Sequence, residues 1–364
     1  MPITRRDFVK GAGVGAGSLA LGVSGAPAAA ETPAPQSTDG IWIDALSGTR
    51  LGPEGFAEIE RSGLTMIDTT LGAPGTPPFG YEAAVQDIAT WHGSFRRDAD
   101  RLIHVRSSQD ILDAERTGKL AIMLGFQNAT HLERDIRNVE FFYNLGIRQI
   151  QLTYNSLNAL GAGCTERVDV GLSDFGVAVV EKMNELGMLV DVSHTGYRTT
   201  MDAMEVSESP IIFSHTNARA LTDNPRAKTD EQIKKLASRD GVMGVTTVNF
   251  YVSKKARSTL GDYIDHIAYV ADLVGIDHVG IGSDSGITPW RVMFPNEKAF
   301  WDFHGQFNFK PENDVRWPPF IEEIDVPEKF FIIAERLEQR GFSGADVQKV
   351  LGGNFLRIYQ QVLG

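Results

Sequence analysis

Two histidines and an aspartate, all of them potential metal ligands, stand at the ends of short apolar runs. His194 ends the segment "DVSH", His215 ends "FSH" and Asp284 ends "GSD". Two imidazoles and a carboxylate that meet at one place can form a catalytic metal site with a fourth position open to water. The alternative is a structural, hydrogen-bonded role for each histidine. Because two histidines end consecutive runs, the pattern favours a metal-binding or catalytic role.

Eight apolar runs must position these side chains. They are rich in Ile and Val, and longer stretches with helical spacing separate them. Runs without polar alternation are typical of strands that are buried on both faces of a parallel sheet. Strands that alternate with helices predict an α/β fold, a (β/α)8 or TIM barrel. The runner-up is an open doubly wound sheet, but no Gly-rich phosphate loop follows the first run. The runs cover residues 41–45, 65–70, 120–125, 148–154, 189–194, 211–215, 242–248 and 279–284.

In such a barrel, functional side chains lie at the C-terminal ends of the strands. Two further polar residues are candidates for this reason, since Gln127 follows the third run and Tyr154 ends the fourth. The connections after the second and eighth runs are long, and the one after the eighth run is rich in aromatic residues. Such loops form either a lid over a pocket or an interface, and we favour a lid.

The first residues of the chain bear on its localisation and not on the folded domain. Residues 4–10, "TRRDFVK", match a twin-arginine signature, and a weakly apolar run and small residues follow it. We therefore expect a signal peptide over residues 1–30, a linker over 31–39 and a single barrel domain over 40–364. The expected location is the periplasm or the medium. The apolar run of the leader is too short and too rich in Gly to span a bilayer, and no later segment is long and apolar enough.

Composition excludes several classes of partner. The formal net charge is −12, which argues against nucleic acids and anionic membrane surfaces as partners. The single cysteine, Cys164, rules out a disulfide within the chain, and stability must therefore come from the core.

Several longer segments resemble the membrane (renal) dipeptidase family, peptidase family M19. They include "GLSDFGVAVVEKMNELGMLVDVSH", "SPIIFSHTNARAL", "NPRAKTDEQIKKLA", "ADLVGIDHVGIGSD" and "RGFSGADVQKVLGGNFLRI". The resemblance implies a barrel of the metallo-dependent hydrolase type that carries two zinc ions, cleaves dipeptides, including some with D-residues, and forms a homodimer. It also implies that His194 and His215 bind one metal and that Asp284 contacts the other and handles a proton. Arg226 would bind the carboxylate of the substrate, and Tyr154 stands where the family has a histidine that faces the substrate.

The sequence departs from the family pattern at three metal ligands. Leu46 and Gly48 stand where the family has a His-x-Asp pair, and Gln127 stands where it has the carboxylate that bridges the metals. Two dications would be poorly neutralised by the donors that remain. A single zinc ion is therefore expected, held by the two histidines together with Asp284 or, more weakly, the side-chain oxygen of Gln127.

These departures leave three functions open. The first is an exported metal-dependent hydrolase of dipeptides or related amides. The second is a binding or maturation protein that keeps the barrel without the chemistry. The third is a metal-free enzyme that uses Asp284 and Tyr154 as acid and base. Asp44, Asp68 and Cys164 are possible replacement ligands, although a structural role is favoured for each.

Overall fold

A nearly closed barrel of parallel strands forms the centre of the molecule. The computed structural model describes residues 40–49, 55–72, 80–305 and 309–364, so the expected signal peptide and linker lie outside it. Eight strands pair side by side in the order β1-β2-β4-β5-β6-β7-β8-β9, and each pair is parallel. This confirms the predicted (β/α)8 fold. The strands are β1 (Ile43–Ser47), β2 (Met66–Thr70), β3 (Leu102–His104), β4 (Leu120–Phe126), β5 (Ile147–Gln151), β6 (Leu189–Asp191), β7 (Ile212–Thr216), β8 (Val242–Val245) and β9 (Val279–Ile281).

Helices surround the barrel between the strands. Gly118 and Gly187 each end a helix in the left-handed conformation. Of the helices that the structure describes, none is both long and apolar enough to cross a membrane. The helices are α1 (Gly55–Ser62), α2 (Tyr81–Arg97), α3 (Ser108–Thr117), α4 (Arg137–Asn144), α5 (Asp174–Leu186), α6 (Tyr197–Val206), α7 (Asp230–Ser238), α8 (Asn249–Val252), α9 (Leu260–Val274), α10 (Trp290–Met293), α11 (Glu297–His304), α12 (Lys329–Gln339), α13 (Gly344–Gln348) and α14 (Asn354–Leu363).

Two apolar clusters hold the barrel together. The larger one lies between the sheet and the surrounding helices. The smaller one contains Met66, Leu189 and Ile212 from three strands, together with Phe355 and Tyr359 from α14. Helix α14 thus closes the N-terminal end of the barrel, and the opposite end is left for a functional site.

Some strands are shorter than the apolar runs that predicted them. Strand β6 ends at Asp191, whose carboxylate accepts the backbone N–H of Ser193 at 2.9 Å and so turns the chain. His194 therefore lies in the turn after the strand. Tyr154 and Asp284 likewise lie three residues beyond β5 and β9.

Side chains as well as backbone close the seam between β1 and β9. The Asp284 N–H donates to the carbonyl of Leu46 at 2.9 Å. Asp44 accepts the backbone N–H of Ser283 at 2.7 Å and its hydroxyl at 2.5 Å. Burial raises the pKa of Asp44 to about 6, and attraction to Lys329 and the Ser283 bonds oppose that rise. Asp44 thus stabilises the seam through two bonds to Ser283.

A roof segment, residues 309–320, passes over the C-terminal ends of several strands. The Lys310 Nζ donates to the carbonyl of Thr165, in the loop after β5, at 2.5 Å. The Asn249 N–H, in α8 after β8, donates to the carbonyl of Pro319 at 2.8 Å. An apolar cluster that includes Trp290, Phe300 and Trp317 supports the segment. The segment thus joins the connection after β5 to the connection after β8.

Candidate active site

His194 and His215 meet at the C-terminal ends of β6 and β7. Their Nε2 atoms lie 2.9 Å apart, and the two side chains are almost fully buried. Burial and the nearby Arg226 lower the pKa of both imidazoles well below the usual value, so each ring favours its neutral form. Neutral imidazole is the form that binds metal ions.

A separate hydrogen bond holds the Nδ1 atom of each imidazole. The Nδ1 atom of His194 lies 2.8 Å from Asn155 Oδ1, and that of His215 lies 2.7 Å from Ser214 Oγ. The Ser214 hydroxyl lies 2.5 Å from Asp191 Oδ2. Burial raises the pKa of Asp191, and four hydrogen bonds from Ser193 and Ser214 oppose that rise. Histidines that bind metals usually have a partner of this kind on the second ring nitrogen.

The histidine pair fits a metal ion as two of its ligands. Two imidazole nitrogens that bind a tetrahedral zinc ion, each about 2.0–2.1 Å from the metal, lie about 3.3 Å apart. The two Nε2 atoms would therefore have to move apart by about 0.4 Å to admit the ion. A complete site is not assembled, since the described part of the chain holds no group of three or more His, Cys, Asp or Glu that could bind a metal ion. Water or substrate would have to complete the coordination.

Tyr154, Cys164 and Asp284 are partly exposed, and the first two contact His194 or its hydrogen-bond partner Asn155. The Tyr154 ring stacks on His194 with a centroid distance of 4.1 Å. The Cys164 thiol donates to Asn155 Oδ1 at 3.3 Å. Removal from bulk water raises the pKa of Asp284 to about 7, and the charge of Arg226 opposes that rise. Asp284 therefore carries a proton that it can exchange near neutral pH.

Asp284 also has an uncommon backbone conformation. Its φ of +59° lies in the left-handed region, which non-glycine residues enter at some cost and mostly where structure or function requires it. The bond from its N–H to the carbonyl of Leu46 holds the backbone in place. The carboxyl group is thus fixed to the seam of the barrel.

Two buried cations lie behind the site. Arg226 donates through both terminal nitrogens, to the carbonyls of Ser193 and His215, at 2.6 and 2.5 Å. The Lys228 Nζ donates to the carbonyl of Thr195 at 3.0 Å, and burial lowers its pKa to about 7. The terminal nitrogens of Arg226 therefore support the backbone of the site, while the positive charge still favours anions nearby.

Two other predicted candidates lie within the barrel. Gln127 is buried just after β4. Its backbone carbonyl accepts a hydrogen bond from the side-chain amide of Gln151 at 2.5 Å. Asp68 is buried, and its carboxyl oxygens have no side-chain hydrogen-bond partner. Burial, followed by repulsion from Asp191 and Asp44, raises the pKa of Asp68 well above the usual value. A neutral interior carboxyl group fits the structural role expected for Asp68.

Sequence reasoning missed residues that support the histidines. Ser214 precedes His215 and Asp191 lies three residues before His194, and both belong to the segments "FSH" and "DVSH" that singled out the histidines. Their closeness in sequence to the two histidines could have identified them as candidates. Asn155 and Lys228 lie in connections, and no local pattern marks them as neighbours of the site.

Comparison with known proteins identifies the family. The model of the membrane dipeptidase family, peptidase family M19, matches residues 66–292, a range that contains both histidines and Asp284. The chain belongs to this family. Dipeptidase verJ of Clonostachys rogersoniana is 29% identical over 282 residues, which cover 77% of this chain and 65% of that protein. An uncharacterized dipeptidase of Schizosaccharomyces pombe is 36% identical over 173 residues, or 46% of this chain and 42% of that protein. The matches span less than two thirds of these curated relatives.

Solved structures of other proteins share the barrel. An amidohydrolase from Pseudomonas aeruginosa superposes with a TM-score of 0.80 and 34% identity, covering 90% of this chain and 97% of that one. A metallopeptidase from Rhodobacter sphaeroides, solved with a phosphinate mimic of L-Ala-D-Ala, superposes with a TM-score of 0.73 and 17% identity. That match covers 89% of this chain and 100% of the other. At this identity, the second comparison bears on the fold alone.

Proposed function

We propose that this family member is a dipeptidase-like hydrolase of dipeptides or related amides, including some with D-residues, and that it uses a reduced metal centre. The observation that carries the proposal is the histidine pair, whose Nε2 atoms lie 2.9 Å apart while each Nδ1 has its own oxygen partner. His194 and His215 would hold a single zinc ion. When bound, the ion supplies a Lewis acid and lowers the pKa of a bound water to about 7.

The residues around the pair have distinct tasks in this proposal. Asp284, with its pKa of about 7, accepts a proton from the attacking water at a carboxyl oxygen and then donates it to the leaving amine. The Tyr154 hydroxyl stays protonated because burial raises its pKa well above the usual value, and it donates a hydrogen bond to the substrate. The charge of Arg226 attracts the carboxylate of the substrate, and the roof segment limits the access of water.

The proposal includes export by the twin-arginine route to the periplasm or the medium. Its support is the "TRRDFVK" signature in the leader sequence. Fusion of residues 1–39 to a reporter protein, with and without an Arg5→Lys/Arg6→Lys change, tests this part. Export that survives the change would contradict it.

A second candidate function has its own support. A non-hydrolytic binding or maturation protein accounts for Leu46, Gly48 and Gln127 at the missing ligand positions, and for the lack of a three-residue metal group in the described ranges. It predicts a ligand that binds tightly and is released unchanged.

Elemental analysis separates the two candidates. Protein purified without added metal or chelator should contain about one zinc ion per chain, and a His194→Ala/His215→Ala double variant should lose it. His278→Gln is a matched control, because that histidine bonds the carbonyl of Gly241 away from the site. A panel of dipeptides with L- and D-residues then tests turnover. A folded protein without metal or turnover would overturn the hydrolase and favour the binding protein.

A further inference from the structure

The oxygen partners of the two imidazoles determine where their protons lie. Asn155 Oδ1 is an amide oxygen and can only accept, so the Nδ1 atom of His194 must carry the hydrogen of their 2.8 Å bond. The thiol of Cys164 donates to the same oxygen. In a neutral ring the other nitrogen, Nε2, is then left with a lone pair.

A chain of two hydrogen bonds fixes His215 in the same way. Asp191 accepts four donors, of which two are the backbone N–H groups of Ser193 and Ser214. The four donors stabilise the charged form of Asp191 against the effect of burial, and in that form the carboxylate can only accept. The single hydroxyl hydrogen of Ser214 therefore points to Asp191, and Ser214 Oγ must accept from His215 Nδ1. The Nε2 atom of His215 is again left with a lone pair.

The two lone pairs face each other at 2.9 Å. Two acceptors at this distance repel each other unless a cation lies between them. The surrounding hydrogen bonds thus prepare the pair for a positive ion before one arrives, which is the arrangement that a preorganised metal ligand pair requires.

We propose that Asp191, acting through Ser214, and Asn155 are positioning residues that hold both imidazoles as Nδ1–H tautomers and so direct both Nε2 atoms to one metal ion. The metal part of this inference rests on the proposed function, whereas the tautomers can be measured without a metal. None of the three residues needs to touch the substrate. They act by setting the tautomers of the two histidines and thereby the affinity of the pair for a metal ion.

Variants of Ser214 test the two hydrogen bonds that link Asp191 to His215, and a variant of Ser193 is the matched control. Ser214→Ala removes the oxygen that accepts from His215, whereas Ser214→Thr keeps a hydroxyl group. Ser193→Ala removes a hydroxyl that donates to the same carboxylate at 2.6 Å but bonds no imidazole nitrogen. Thermal melting checks that each variant folds.

Two measurements decide the outcome. In metal-free protein with isotopically labelled histidine, NMR should show His215 Nε2 unprotonated in the wild type, Ser214→Thr and Ser193→Ala, but protonated in Ser214→Ala. Competition with a chromophoric chelator should show that Ser214→Ala binds zinc about 10–100-fold more weakly, while Ser214→Thr restores the affinity. Unchanged tautomers and unchanged zinc affinity in Ser214→Ala would overturn the inference. A wild type that shows the expected tautomers but binds no zinc would instead overturn the proposed metal centre.

Discussion

Replacing His131 with leucine should make the protein markedly more resistant to acid. His131 lies in the turn after β4, where its ring packs against Phe126 at a centroid distance of 3.6 Å and meets Phe142 edge-on at 5.1 Å. The ring is 6% exposed, and its Nε2 has no hydrogen-bond partner. Burial accordingly lowers the pKa of His131 from 6.5 to about 3. The folded protein thus resists protonation of this ring far more than the unfolded chain does.

The magnitude follows from this difference in pKa. Between pH 6.5 and about pH 3 the unfolded chain binds more protons at His131 than the folded protein does, so the free energy of unfolding falls as the pH falls. At about 1.4 kcal/mol for each unit of pKa, this histidine removes about 3 kcal/mol of stability between about pH 7 and about pH 4. Leucine cannot be protonated, so His131→Leu should lose about 3 kcal/mol less than the wild type over the same interval.

Equilibrium urea unfolding of both proteins at the two pH values measures this quantity. The comparison uses the change with pH within each protein, so any packing defect that leucine introduces cancels. Other buried histidines contribute equally to both proteins. A difference below about 1 kcal/mol would refute the reasoning, because it would mean that the folded protein hydrates or hydrogen-bonds the protonated ring.

Two further predictions concern the barrel interior and the missing ligands. Asp68→Asn should raise the free energy of unfolding by about 1–3 kcal/mol at neutral pH, because the unfolded chain ionises Asp68 whereas burial raises its pKa in the folded protein, and an amide has no such difference; urea unfolding that shows a loss would contradict this. A Leu46→His/Gly48→Asp/Gln127→Glu variant should bind a second metal ion, since a Cβ atom at Gly48 would meet no atom closer than 3.6 Å. Elemental analysis that still finds at most one ion per chain would show that these three positions do not restore the site.

The sequence predicted the barrel well because its signal is local. Runs such as residues 120–125 are apolar throughout, as is typical of a strand buried on both faces. The short strand β3 was missed because three residues, Leu102–His104, give too little pattern to detect. The ends of two strands were predicted three residues too late, at 154 and 194, whereas the strands end at Gln151 and Asp191. The sequence pattern continues past these residues although the hydrogen bonding of the sheet stops.

The candidate site was predictable only in part. The resemblance placed His194 and His215 together, and they are neighbours in the structure. The partners of Arg226 could not be predicted, because its bonds go to backbone carbonyls that every residue possesses. Asn155 was missed for a related reason. Its contact with His194 joins positions 39 residues apart, and only the folded barrel brings them together.

The way in which the seam closes bears on how this chain could depart from its family. Leu46 contributes its carbonyl oxygen to the seam, and Asp44 and Ser283 supply the side-chain bonds. Evolution could therefore exchange the side chain at position 46 without opening the barrel. The fold would tolerate the loss of a metal ligand there, because closure uses backbone atoms of that position and metal binding would use its side chain. A change of side chain at this edge therefore leaves the backbone bonds of the seam in place.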